Sequence, residues 1–160
     1  MRAVRIHRFG GPEVLVVEDV PEPSPGPGEV LVRVSAAGVN PVDTYKRAGV
    51  YAELPRPPYT PGGDAGGVVV ALGPSTAGGA GDTTDSSAAG EPAAGGAPPA
   101  PGEPVWSPAP GDRVYTSGSL TGTYAELALC RAGDVRPLPD GLTFAQGAAV
   151  GTPAVTAFRA

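Results

Sequence analysis

Residues 1–37 read MRAVRIHRFGGPEVLVVEDVPEPSPGPGEVLVRVSAA, and this stretch decides the class of fold. Its aliphatic residues fall in short runs broken by turn signals, the pattern of an all-β barrel or sandwich rather than of alternating strand and helix. Arg2 to Phe9 reads as a first strand. Gly10-Gly11-Pro12 turns the chain into a second, Val14 to Val20, and the proline-rich run Pro21 to Gly28 leads to a third, Glu29 to Ala37. Outward from there, Gly66 to Leu72, Asp112 to Ser117 and Tyr124 to Cys130 are rich enough in β-branched, aromatic or aliphatic residues to be strands as well. The expected fold is mainly β.

Two helical signals interrupt the strands. Asn40-Pro41-Val42-Asp43 offers a capping residue, a proline at the first helical position and an acid in the first turn, and Gly49 closes a helix of about two turns. Thr143 to Gln146 has capping-box spacing, and the small residues after it suit a helix as far as Gly151-Thr152-Pro153. Another helix is expected to begin near Ala154.

Pro and Gly make up 46 of the 160 residues, and much of that excess lies between Pro74 and Pro110. Of these 37 residues 24 are Gly, Ala or Pro and 7 are Ser or Thr, with Val105 and Trp106 the large apolar ones. So little apolar surface cannot offset a backbone ordering cost of about 1–2 kcal/mol per residue, so residues 74–110 are expected to be a disordered surface insert within one domain spanning 1–160. The insert holds four acids and no base, which leaves 12 acidic against 11 basic residues elsewhere. A net charge of −5 gives no field that would attract a phosphate backbone or an anionic membrane. The first ten residues lack the apolar run of a signal peptide, and the lone Cys130 cannot form an internal disulfide; both point to the cytoplasm.

Several reaction types need residues that this chain lacks. His7 is the single histidine, which excludes a metalloprotease helix with its two histidines, and no serine stands in a nucleophile-elbow pattern. The sole lysine, Lys46, follows Tyr45 rather than the glycine of a Walker loop, and no Gly-x-Gly-x-x-Gly occurs.

What remains is a cluster from Gly38 through Asn40, Asp43, Thr44 and Tyr45 to Tyr51, followed by Pro58-Tyr59-Thr60-Pro61-Gly62-Gly63-Asp64-Ala65-Gly66-Gly67-Val68. Together with Phe9-Gly10-Gly11-Pro12-Glu13-Val14-Leu15, Gly111 to Val114, Gly122 to Glu126, Gln146 to Ala149 and Thr156 to Arg159, these stretches resemble the N-terminal catalytic domain of medium-chain dehydrogenase/reductases. The closest likeness is to the quinone oxidoreductase, zeta-crystallin-like branch, and it covers nearly the whole chain outside 74–110. The resemblance implies a GroES-like partial β-barrel with short helices, forming one wall of a cleft. The other wall would be a Rossmann domain that binds NADPH, and the chain is expected to stop short of it. By the same resemblance Asn40 and Thr156 contact the cofactor, and Tyr45, Tyr51 and Asp43 are the catalytic candidates, the two tyrosines flanking the substrate and Asp43 standing behind the groups that touch it.

Departures from the zinc-dependent relatives narrow the chemistry. Where those enzymes carry a metal-binding cysteine this chain has Asn40, and where they carry a histidine before an acid it has Gly63-Asp64. A remaining Asp cannot build a catalytic zinc site alone, so no metal is expected. The implied reaction is NADPH-dependent, zinc-independent reduction of a quinone or activated alkene such as an enone, whose developing negative charge hydrogen bonds can stabilise. Enoyl thioesters are an alternative substrate class. Another reading is a non-catalytic GroES-like module that binds a separate Rossmann-domain chain or forms a homodimer. RNA binding, a trait of some zeta-crystallin relatives, finds no support in a chain with one lysine and an acidic balance.

Local roles are also available to the same residues. Asn40 can serve as a helix N-cap, Tyr45 and Tyr51 as half-buried packing residues, and Gly62, Gly63, Gly66 and Gly67 as sites of tight backbone geometry. Cys130 fits a small core residue, and His7 an exposed strand position.

Overall fold

The computed structural model describes residues 1–74 and 106–159. Seven strands are present among them: β1 (Arg2–Ile6), β2 (Leu15–Asp19), β3 (Glu29–Ala37), β4 (Asp64–Leu72), β5 (Arg113–Ser117), β6 (Leu127–Arg131) and β7 (Val135–Pro137). Three helices join them: α1 (Pro41–Ala48), α2 (Phe144–Ala148) and α3 (Gly151–Arg159). Five strands form an antiparallel sheet in the order β6-β3-β4-β5-β7, while β1 and β2 pair as a separate ribbon. Backbone bridges from Ala3 to Ala125 and from Ile6 to Tyr59 tie the ribbon to the loops around the larger sheet. This is the mainly β, open-sheet architecture of a GroES-like partial barrel.

Val30, Leu31 and Val32 of β3 are buried in succession, so this half of the strand is covered on both faces, while from Arg33 onward every other residue is exposed. On one face Val30, Val32, Val69, Val114, Ala128, Cys130 and Val135 form the main core. On the other, Leu31, Leu127 and Leu129 pack with Met1, Val70 and Ala71. Each such aliphatic side chain contributes about 1.5–3 kcal/mol on full burial. Cys130 has no exposed surface, and burial pushes its thiol up to about 12, so it is a core residue.

Boundaries differ from the sequence expectations for physical reasons. β1 ends at Ile6, so His7 lies just outside the ladder, exposed and paired with Glu18. β4 starts two residues before Gly66 because Asp64 and Ala65 find ladder partners in Ser117 and Thr116. β6 starts at Leu127, since Tyr124 and Ala125 are spent on β1 through the bridge to Ala3 and the Val4 N–H to Tyr124 carbonyl bond. β7, a three-residue edge strand ending in Pro137, is too short and too polar to register as a periodic pattern. α3 begins at Gly151 rather than near Ala154, and Pro153 sits in its first turn, where a missing N–H costs nothing.

Of the expected insert, residues 75–105 lie outside the described residues. Trp106 is half-buried against the main core and so belongs with the folded part.

Two glycines permit close approach of neighbouring backbone. A Cβ on Gly66 would meet the Phe144 carbonyl of α2, and one on Gly67 the Arg33 carbonyl of β3. Gly66→Ala should therefore lose about 1–3 kcal/mol in urea unfolding, as expected for overpacking against backbone that cannot yield. Gly133→Ala, at a position with open space, should stay within about 0.5 kcal/mol of the parent.

Candidate active site

α1 starts where Asn40, in extended conformation (φ −106°, ψ 152°), hands over to Pro41. Asn40 holds the N-cap position, and its amide nitrogen reaches back to β4. Its Nδ2 donates to Asp64 Oδ2 at 2.9 Å, while the Asp43 carboxylate accepts the Asn40 backbone N–H at 2.9 Å. Asp64 opens β4 and is wholly buried. It also accepts the Thr152 backbone N–H and hydroxyl, each at 2.8 Å. One carboxylate thus fastens the first turns of α1 and α3 to the sheet. A turn along α3, the Thr156 hydroxyl donates to the Thr152 carbonyl at 2.8 Å.

Asp43 has a second partner, the Tyr124 hydroxyl, which donates to it at 3.2 Å from the loop before β6. Burial raises the Asp43 carboxyl above its ordinary 3.8; the bonds from Asn40 and Tyr124 act against this, and the charge of Asp64 adds to it. Burial, then the Asp43 charge, raises the Tyr59 and Tyr124 hydroxyls above their ordinary value of 10, so both stay protonated donors at neutral pH. The Tyr59 hydroxyl is buried with no hydrogen-bond partner among the described residues.

Asn40, Asp43, Lys46, Tyr59, Thr152 and Thr156 line one open cavity of about 900 Å³. Its opposite wall is the loop 117–122, bent by Gly118 (φ 129°) and Gly122 (φ 87°). Ser119 fixes that loop: its Oγ accepts the Thr121 and Gly122 N–H groups at 3.3 and 3.0 Å and donates to the Leu129 carbonyl at 3.2 Å.

Of the five residues singled out from sequence, Asn40, Asp43 and Thr156 line this cavity together. Tyr45 and Tyr51 are outside its lining, 51% and 42% exposed, one on α1 and the other just past the reversal at Gly49. Tyr59, Ser119 and Thr152 were not singled out. Tyr59 stands inside a quoted cluster, yet nothing in the spacing of three tyrosines says which one turns inward. Thr152 precedes a proline and reads locally as a helix stop.

Among the described residues no three His, Cys, Asp or Glu side chains gather as a metal site, and both Asp64 oxygens are engaged by Asn40 and Thr152. No helix among those residues is long and apolar enough to cross a membrane.

Fold and cavity agree with a family assignment: residues 26–140 match the alcohol dehydrogenase GroES-like domain, and the chain belongs to that family. Within it, the chain is 43% identical over its whole length to human quinone oxidoreductase, of which it covers 40%. It is 36% identical over 94% of its length to the trans-enoyl reductase tazE of Aspergillus terreus, covering 43% of that protein. The crystal structure of Escherichia coli quinone oxidoreductase complexed with NADPH superposes with a TM-score of 0.72 at 26% identity, over 99% of this chain and 39% of that one. The chain therefore spans about 40% of the length of its quinone oxidoreductase relatives.

Asp64→Ala should cost about 2–4 kcal/mol in urea unfolding, because it strands the buried Asn40 amide and the half-buried donors of Thr152. Asp43→Asn tests the buried charge. The raised folded pKa means that the native state binds the proton more tightly, so this carboxyl contributes most below pH 3.8 and its contribution falls as pH rises through the folded value. The stability of Asp43→Asn relative to the parent should thus climb with pH from about 4 and then level off, measured by unfolding across that range.

Proposed function

We propose that the chain is the catalytic portion of a zinc-independent, NADPH-dependent cytoplasmic reductase of quinones or activated alkenes. The observation that carries this is a cavity whose lining residues Asn40 and Thr152 give three hydrogen bonds to the fully buried Asp64 carboxylate. Both Asp64 oxygens are engaged by Asn40 and Thr152, and neither Asn40 nor Gly63 supplies a thiolate or imidazole for a catalytic zinc.

NADPH, when bound, supplies the reducing equivalent. Asn40 and Thr156 fit its nicotinamide end, since both line the cavity and are coupled through Asp64 and Thr152. The pyrophosphate has no glycine-rich loop in this sequence to cradle it, so that end falls to a separate nucleotide-binding domain or partner chain. In such a reduction negative charge would build on the conjugated oxygen, and positioned donors would lower the energy of that state. Tyr59 is the donor without a competing partner; Tyr45 and Tyr51 would contact the acceptor from the rim, and Asp43 holds Asn40 and Tyr124 in place. Enoyl thioesters are the second reading, favoured by the similarity to an enoyl reductase.

Calorimetric titration of the chain alone with NADPH should show only weak binding, and sub-micromolar affinity would overturn the division of labour. Fused to the nucleotide-binding domain of a quinone oxidoreductase, the chain should oxidise NADPH with 1,4-naphthoquinone in the presence of a chelator. Asn40→Ala should lower kcat/KM about tenfold or more. Turnover of a saturated ketone but not of the quinone would refute the substrate class.

A further inference from the structure

The geometry points to Lys46 as a covalent capture site for electrophilic enones that enter the cavity. The inference rests on the proposed substrate class and concerns what such a substrate can do besides being reduced.

Conjugated enones are Michael acceptors, and they react first with thiols and then with amines. The one thiol of the chain, Cys130, has no exposed surface and is held protonated by burial. The one imidazole, His7, belongs to the exposed β1–β2 ribbon and is bonded to Glu18. Two amines remain, the Met1 terminus, which donates to the Val20 carbonyl, and Lys46, the sole lysine in 160 residues. Of these Lys46 alone lines the cavity. It lies one helical turn beyond Asp43, and its Nζ sits 5.4 Å from the centre of the Tyr51 ring. The reversal at Gly49 brings that ring back beside α1, next to the Lys46 side chain.

An enone held in the cavity therefore meets one nucleophile, in the geometry that raises effective concentration. The Nζ lone pair, available in the neutral amine, attacks the β-carbon. An N–C bond forms, the C=C pair shifts to give the enolate, the α-carbon takes up a proton and the nitrogen loses one. No electron leaves the pair of reactants, so no oxidant or reductant is consumed, and the protein gains the whole mass of the enone.

The full chain treated with phenyl vinyl ketone and followed by intact mass and peptide mapping gives the test. Lys46 should label about tenfold faster than the Met1 amine, with a rate that saturates as ketone concentration rises, and Lys46→Arg should abolish that adduct. A Lys46 rate that stays linear in concentration, or that matches the rate in the urea-unfolded chain, would overturn the inference. Reduction by the fused enzyme is read separately through NADPH oxidation. Loss of turnover with labelling intact would count against the proposed function alone, and loss of selective labelling with turnover intact against Lys46 alone.

Discussion

A single buried carboxylate organises the site. Asp64 has no solvent exposure and receives three hydrogen bonds, one from Asn40 and two from Thr152. Charge buried without partners costs far more than a fold of this size can bear, so these donors must be present wherever Asp64 is. That requirement fixes the entry of α1 and the entry of α3 against the start of β4. The rest of the cavity inherits its shape from this joint: Asp43 and Lys46 from α1, and Thr156 from α3.

The other wall depends on a weaker but similar device. Ser119 satisfies three backbone groups at once, and Gly118 and Gly122 let the loop turn through left-handed conformations that bulkier residues resist. The walls differ in how they are made rigid, one by a buried charge and the other by a hydroxyl. Between them, groups from α1, the segment 58–63, α3 and the 117–122 loop, far apart in sequence, face one space.

The mainly β class is legible in the sequence because Val30 to Val32 and Val68 to Leu72 are aliphatic runs between clear turn signals, and α1 is legible because Asn40, Pro41 and Gly49 mark both ends. β7 is not, since its Val135-Arg136-Pro137 makes sense only as a partner for the far edge of β5. The start of α3 reads late for a related reason: Thr152 looks like a stop until Asp64, 88 residues away, is seen to accept its N–H. Asn40, Asp43 and Thr156 were legible as cavity residues through family likeness. The inward turn of Tyr59 was not, because it follows from the bridge between Ile6 and Tyr59, a long-range contact with no local signature.

Asp64 stands at one end of β4 and Leu72 at the other, roughly 25–30 Å apart at strand rise. The cavity lies at the first end; the chain leaves for residues 75–105 from the second and rejoins the core at Trp106. A fluorophore tether or an affinity handle joined at Pro74 or Trp106 would start from the end of β4 away from the chemistry. The same sheet that holds the pocket in register therefore offers an attachment point for turning this domain into a reporter.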